Sequence, residues 1–148
     1  MQNIETKRIR TLALLGHSGS GKTSLAEAML HIAGASDRFG NVPDGTTVCD
    51  YDPEEIKRGF SLESKVAPFM WKNTKINVLD TPGFLDFVGE VKQALRAADT
   101  AVMVIDGKSG FKVGTELAWD YAREANLPTA FFINKFDDNE ARFSLTSG

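Results

Sequence analysis

Eight consecutive residues, Gly16-His17-Ser18-Gly19-Ser20-Gly21-Lys22-Thr23, set three glycines ahead of a lysine and a hydroxyl. They follow a short apolar run and open a stretch of helical periodicity. In that setting the pattern G-x-x-x-x-G-K-[ST] has a definite chemistry. The glycines let backbone N–H groups turn inward around phosphate oxygens, Lys22 reaches the terminal phosphates, and Thr23 offers a hydroxyl to Mg²⁺. Ser24 is grouped with this binding loop, and His17 reads as a structural rather than a catalytic member of it. The plain alternative is a glycine-rich turn at a helix start, which the flanking patterns disfavour.

Two further clusters extend the chemistry. Asp80-Thr81-Pro82-Gly83 ends an apolar run. There Asp80 can hold Mg²⁺ through a water, while the backbone N–H of Gly83 can bond a γ-phosphate and let go when it leaves. A tight turn is the competing reading. Asn134-Lys135-Phe136-Asp137 follows the run TAFFI. A carboxylate at Asp137 can accept two parallel hydrogen bonds from guanine N1 and N2, a geometry adenine cannot supply; the stem of Lys135 lies against the base, and Asn134 braces the loop. The three clusters in this order, each behind a predicted strand, point to GTP or GDP with Mg²⁺.

The elements that must position them follow from periodicity. Ile9 to Leu15, Ile76 to Leu79, Ala101 to Ile105 and Thr129 to Ile133 are short apolar runs rich in branched residues, as buried parallel strands are. Between them, Lys22 to about Ala33 places Leu25, Met29 and Ile32 on one face. Asp86 to Ala98 does so with Val88, Val91 and Leu95, and Thr115 to Ala125 with Leu117, Ala118, Tyr121 and Ala122. Glu63 to Phe69 and Lys75 to Leu79, joined by a turn at Asn73 and Thr74, read as a hairpin adding one antiparallel edge strand. The class is three-layer α/β. Residues 34–62 show no clear period and read as a long mobile loop.

Composition excludes several classes. The 148 residues, 42% apolar and 25% charged, fit one domain. No run approaches the roughly 20 apolar residues of a membrane span, and the N-terminus lacks a signal h-region. The expectation is a soluble, cytoplasmic monomer. A net charge of −3 gives no sign of bulk attraction to nucleic acid, so no direct sequence-specific nucleic-acid contact is expected. The single Cys49 reads as a partly buried structural thiol.

GHSGSGKT, DTPG and NKFD together resemble the signature of a GTPase. DGTTVCDYDPEEIKRGFSLES resembles the first switch of the elongation factor G group of translational GTPases, and EVKQALRAADTAVMVIDGKSG resembles that group's second helix and fourth strand. The likeness runs from about Arg8 to Asp138. It implies a P-loop NTPase-type, mostly parallel sheet with helices on both faces, and the nucleotide-binding part of an elongation factor G-like factor that works on the ribosome. By resemblance, residues 34–62 are the first switch, and Ser61 stands where the family has its Mg²⁺-binding threonine. Gly19 replaces an acidic residue of the phosphate loop, and Phe84 replaces the histidine that positions the attacking water. The family's last strand and helix have no counterpart before Gly148, so the resemblance implies a C-terminally truncated domain.

Lys22, Gly83 and position 84 thus carry any catalysis. Two readings stand side by side: a ribosome-stimulated GTPase, and a GTP-binding switch that hydrolyses poorly because of Phe84. A phosphate-loop ATPase or small-molecule kinase is a third, against which NKFD argues. Arg58 and Arg96 read as solvated or salt-bridged rather than catalytic.

Overall fold

The computed structural model describes residues 4–38, 40–41, 44, 46–48, 63–83 and 88–137. Cys49, Arg58, Ser61 and Phe84, most of the first-switch stretch and the terminal SLTSG lie outside the described residues. A 3-10 turn at Thr6–Arg8 leads into strand β1 (Ile9–Leu15) and helix α1 (Lys22–Ile32). Strands β2 (Lys65–Trp71) and β3 (Thr74–Asp80) come next, then helix α2 (Val88–Ala97), strand β4 (Thr100–Asp106), helix α3 (Val113–Glu124) and strand β5 (Thr129–Asn134).

These strands form one five-stranded sheet in the order β2-β3-β1-β4-β5. β1 lies between β3 and β4 and runs parallel to both, and β4 is parallel to β5. Only β2 is antiparallel, paired to β3 as the expected hairpin. Its turn is Lys72-Asn73, one residue earlier than expected, with φ of 44° and 65°. Positive φ at both central residues gives the turn the twist that matches its flanking strands. Pro68 is tolerated in β2 because an edge strand leaves one row of backbone groups unpaired.

Alternation along β1 divides the core. Ala13 and Leu15 join Val91 and Leu95 of α2, Met103 and Ile105 of β4, and Ala118 and Ala122 of α3 on one face. Leu14 points the other way, to Ala26 and Leu30 of α1, Ala67 and Val78. This is the three-layer arrangement, mostly parallel with one antiparallel pair, that the sequence predicts. The expected face of α1 is corrected: Ala26, Glu27 and Leu30 are buried, Leu25 and Met29 only flank them, and Ile32 is exposed. Leu25, Ala26, Ala28, Met29, Leu30 and Ile32 spread apolar surface over more than half of the helix circumference, so period alone does not say which side meets the sheet. On β5, Phe131 and Phe132 are neighbours on opposite faces of the sheet, yet both are exposed.

Ser64, just before β2, is tied to α2: its N–H donates to the Glu90 carboxylate at 3.1 Å and its hydroxyl to the Glu90 carbonyl at 3.3 Å. Lys65 then enters the sheet directly opposite Asp80.

Leu14 has no exposed surface and sits at the centre of the sheet. Leu14→Ala is expected to lower unfolding free energy by about 2–5 kcal/mol, read as a shift in the urea midpoint.

Candidate nucleotide-binding site

The central place of β1 decides where side chains converge. The chain leaves β1 towards β3 on one side and β4 on the other, and in open α/β sheets that switch point lies beside the carboxyl ends of the strands. At those ends stand Gly16 after β1, Asp80 closing β3, Asp106 closing β4 and Asn134 closing β5. Register aligns them: Leu14 is opposite Asp80, and Asp106 is opposite Asn134.

Lys22 opens α1 and is buried, 6% exposed. Its Nζ donates to the carbonyls of Gly16 and His17, both at 3.1 Å. Burial pulls its pKa down to about 8, and the Asp80 carboxylate pulls the other way. A phosphate arriving there would restore the proton's hold on Lys22, since an added anion favours the charged form. Gly83 lies against this ammonium, where a Cβ would sit 2.6 Å from Nζ. Any side chain there would fill the space in front of the cation. Gly83 also accepts a 3.1 Å bond from the Ser18 N–H through its carbonyl, so the segment after β3 and the glycine loop are joined directly.

The Thr23 hydroxyl donates to Asp80 Oδ2 at 2.6 Å. A hydroxyl and a carboxylate meeting beside a buried cation are the hard oxygen donors that Mg²⁺ takes, usually one or two from protein and the rest from phosphate and water. Ser20 is buried, and its Oγ has no hydrogen-bond partner among the described residues. Thr81 uses its hydroxyl structurally, donating to the Leu14 carbonyl at 2.6 Å, and Pro82 beside it is buried. Ser24, on the first turn of α1, is exposed, as is Gly19 at the loop's tip.

His17 packs on the start of α3, where a Cβ on Gly114 would lie 2.6 Å from Nδ1. Burial lowers its pKa, and Lys112 and Lys22 lower it further. Both effects favour the neutral ring.

The loop after β5 is fastened to the glycine loop at two points. Asn134 Nδ2 donates to the Ser20 carbonyl at 3.0 Å, and Lys135 Nζ donates to the Gly19 carbonyl at 2.7 Å. Gly21 has φ of 98°, and a Cβ there would fall on the Asn134 amide, so only glycine fits both the turn and the contact. Asp137 is exposed two residues further on.

Two participants escaped the sequence reading. Asp106 accepts from Lys135 Nζ at 2.7 Å and from the N–H groups of Lys108 and Ser109 at 2.9 and 3.1 Å. The signal was available: like Asp80, it ends an apolar strand. Glu27 is the other, an acidic residue inside an apolar helix face.

Fold and site together define a phosphate-loop nucleotide-binding domain. Residues 7–147 match the model of the elongation factor Tu GTP binding domain, and the chain belongs to that family. It is 40% identical over 146 residues to a protein of Scheffersomyces stipitis called ribosome-releasing factor 2, mitochondrial, covering 99% of this chain and 17% of that one. A Danio rerio protein of the same name is 40% identical over 147 residues, 98% of this chain and 19% of that one. The chain thus spans under a fifth of the length of these relatives. A crystal structure from Thermus thermophilus superposes with a TM-score of 0.85 at 45% identity, over 88% of this chain and 20% of that one. A bacterial selenocysteine-specific elongation factor, 23% identical with a TM-score of 0.71 over 89% of this chain and 21% of that one, shares the fold. No helix among the described residues is long and apolar enough to cross a membrane.

Burial alone would raise the Asp106 pKa, but the Lys135 bond and the Ser109 and Lys108 N–H groups outweigh it and hold the carboxyl below its ordinary 3.8. A depressed carboxyl contributes stability that is complete above its unfolded value and is lost as pH falls through the folded one. Asp106→Asn is therefore expected to cost roughly 1–3 kcal/mol at pH 7 and little once Asp106 is protonated in both the folded and the unfolded chain. Urea midpoints at pH 7 and in the acid range compare the two chains.

Proposed function

We propose that this chain binds GTP and GDP with Mg²⁺ and belongs to an elongation factor G-like factor that hydrolyses GTP on the ribosome. One observation carries the reading: Asn134 and Lys135 hydrogen-bond the Ser20 and Gly19 carbonyls of the very loop whose Lys22 faces Gly83. The loop proposed to read the base is thereby fastened to the loop proposed to hold the phosphates.

In this reading the loop from Gly16 to Thr23 surrounds the phosphates, with Lys22 on the terminal ones. Thr23, Asp80 and, by resemblance, Ser61 hold Mg²⁺, which neutralises charge that builds on the phosphates during transfer. Gly83 reports the γ-phosphate through its N–H, and Asp137 selects guanine over adenine. Hydrolysis then depends on positioning and charge stabilisation more than on a side-chain base. The ribosome is the proposed partner, because the Scheffersomyces stipitis and Danio rerio relatives are named ribosome-releasing factor 2. We place the protein, as a monomer, in the cytoplasm, with residues 34–62 as its first switch.

A second reading rests on position 84. Phenylalanine cannot orient water, so the chain is then a GTP-responsive switch with little turnover. Membership of a GTP-binding family weighs against an ATPase or kinase.

Asp137→Asn is expected to move preference from guanine towards xanthine nucleotides, since an amide donates to the oxo group xanthine carries in place of the amine. Competition titrations with GDP and XDP read this directly, and unchanged guanine preference would remove Asp137 from the base site. Phe84→His is expected to raise ribosome-stimulated GTP hydrolysis by roughly 10 to 1,000-fold in single-turnover assays. A variant that binds GTP normally and hydrolyses it no faster would show that position 84 does not limit the chemistry.

A further inference from the structure

Away from Lys22, α1 carries a second buried charge-bearing side chain. Glu27 has no exposed surface. Its Oε1 accepts a 2.6 Å hydrogen bond from the backbone N–H of Val48. On the other oxygen the chain presses so close at Gly40 that a Cβ there would overlap Oε2, and it would also lie 2.7 Å from the Thr47 Cα. Thr47 itself is buried.

The chain set down on this carboxylate has its own internal bonds. The Thr46 N–H donates to the Asn41 carbonyl at 3.2 Å, the Asn41 N–H donates to the Thr46 hydroxyl at 3.0 Å, and the Asn41 amide donates to Asp44 at 2.7 Å. A small closed turn therefore sits on α1, and Glu27 is the side chain beneath it. Burying a carboxylate costs stability unless it is bonded. With Ala26 and Leu30 as core neighbours, packing alone would favour an apolar residue at position 27. Glu27 also lies one helical turn after Thr23, so the two project from the same side of α1. One reaches Asp80, and the other reaches Val48.

We propose that Glu27 is a positioning residue that fixes the first-switch segment at Gly40 and Val48. The chain running on to Ser61 then starts from a set point on the helix that carries Lys22 and Thr23. Glu27 touches no nucleotide; it acts through the Val48 N–H. The inference rests on the proposed function and adds how the state with GTP is told from the state with GDP. Bringing Ser61 to Mg·GTP costs conformational entropy, and a tethered origin lowers that cost. GDP, which does not need Ser61, gains nothing from the tether.

The test measures fluorescent-nucleotide affinities in the full 148-residue chain with Mg²⁺, for a non-hydrolysable GTP analogue and for GDP. Glu27→Ala is expected to weaken the analogue about tenfold or more, the value of one lost charge-assisted hydrogen bond, and GDP less than about threefold. Glu27→Gln keeps a carbonyl for the Val48 N–H and stays within about threefold of the parent for both. Val48→Pro deletes the donor from the loop side, away from the α1 core, and is expected to repeat the alanine profile. Combining Glu27→Ala with Val48→Pro adds no further loss. If Glu27→Ala fails to fold, Val48→Pro decides. Equal weakening of both nucleotides, or unchanged analogue affinity in folded Val48→Pro, overturns the proposal and leaves the proposed function standing. A parent chain that binds no guanine nucleotide overturns both.

Discussion

An ammonium group taken out of water must find oxygen atoms inside the protein, and Lys22 finds the Gly16 and His17 carbonyls at 3.1 Å with the Asp80 carboxylate near enough to offset part of the burial. Satisfying that group sets conditions on the rest of the domain. The carbonyls turn inward only if the chain after β1 coils back on itself, which the glycines permit. Asp80 is within reach only if β3 pairs with β1 in the register that sets Leu14 beside it. That register in turn requires the alternation along β1 that divides the core between α1 and the pair α2 and α3. A single solvation problem at the end of the central strand thus orders the sheet and both helical layers.

The second loop is held on the same principle. Carbonyls of Ser20 and Gly19, left pointing outward by the coil around Lys22, are met by the Asn134 amide and the Lys135 ammonium. Lys135 is itself held by Asp106. Strand ends β1, β4 and β5 are linked in series by polar contacts that no apolar packing would specify. Each contact uses a group the fold would otherwise leave unsatisfied, so the two loops hold one another in place.

Much of this was legible in the sequence. Strand β1 coincides with its apolar run, and β4 and β5 differ from theirs only at the ends, because a short apolar run bounded by turn residues marks a strand even where, as in β5, its side chains stay partly exposed. The hairpin was legible too, though its turn fell one residue early: Lys72 is an uncommon residue at a positive φ, and Asn73 and Thr74 drew attention instead. The side of α1 that faces the sheet was not legible, since Leu25, Ala26, Met29 and Leu30 are all apolar and the periodic signal is flat. Asp106 and Glu27 were passed over. Motif reading looks for residues that touch a ligand, whereas these two act on other protein groups, Lys135 in one case and the Val48 amide in the other.

The two bonds that bracket residues 49–63 in the chain, at Val48 and Ser64, bear on how such a domain can change over time. Val48 is bonded to Glu27, Ser64 is bonded to Glu90, and Lys65 enters the sheet opposite Asp80. With both ends fastened to the scaffold, the intervening stretch closes a loop whose entropic cost grows only logarithmically, about 0.6 kcal/mol for each doubling of its length. Insertions, deletions and changes of composition between the two bonds therefore cost the sheet little. The segment is free to diversify in length and sequence while the sheet that holds Asp80 stays as it is.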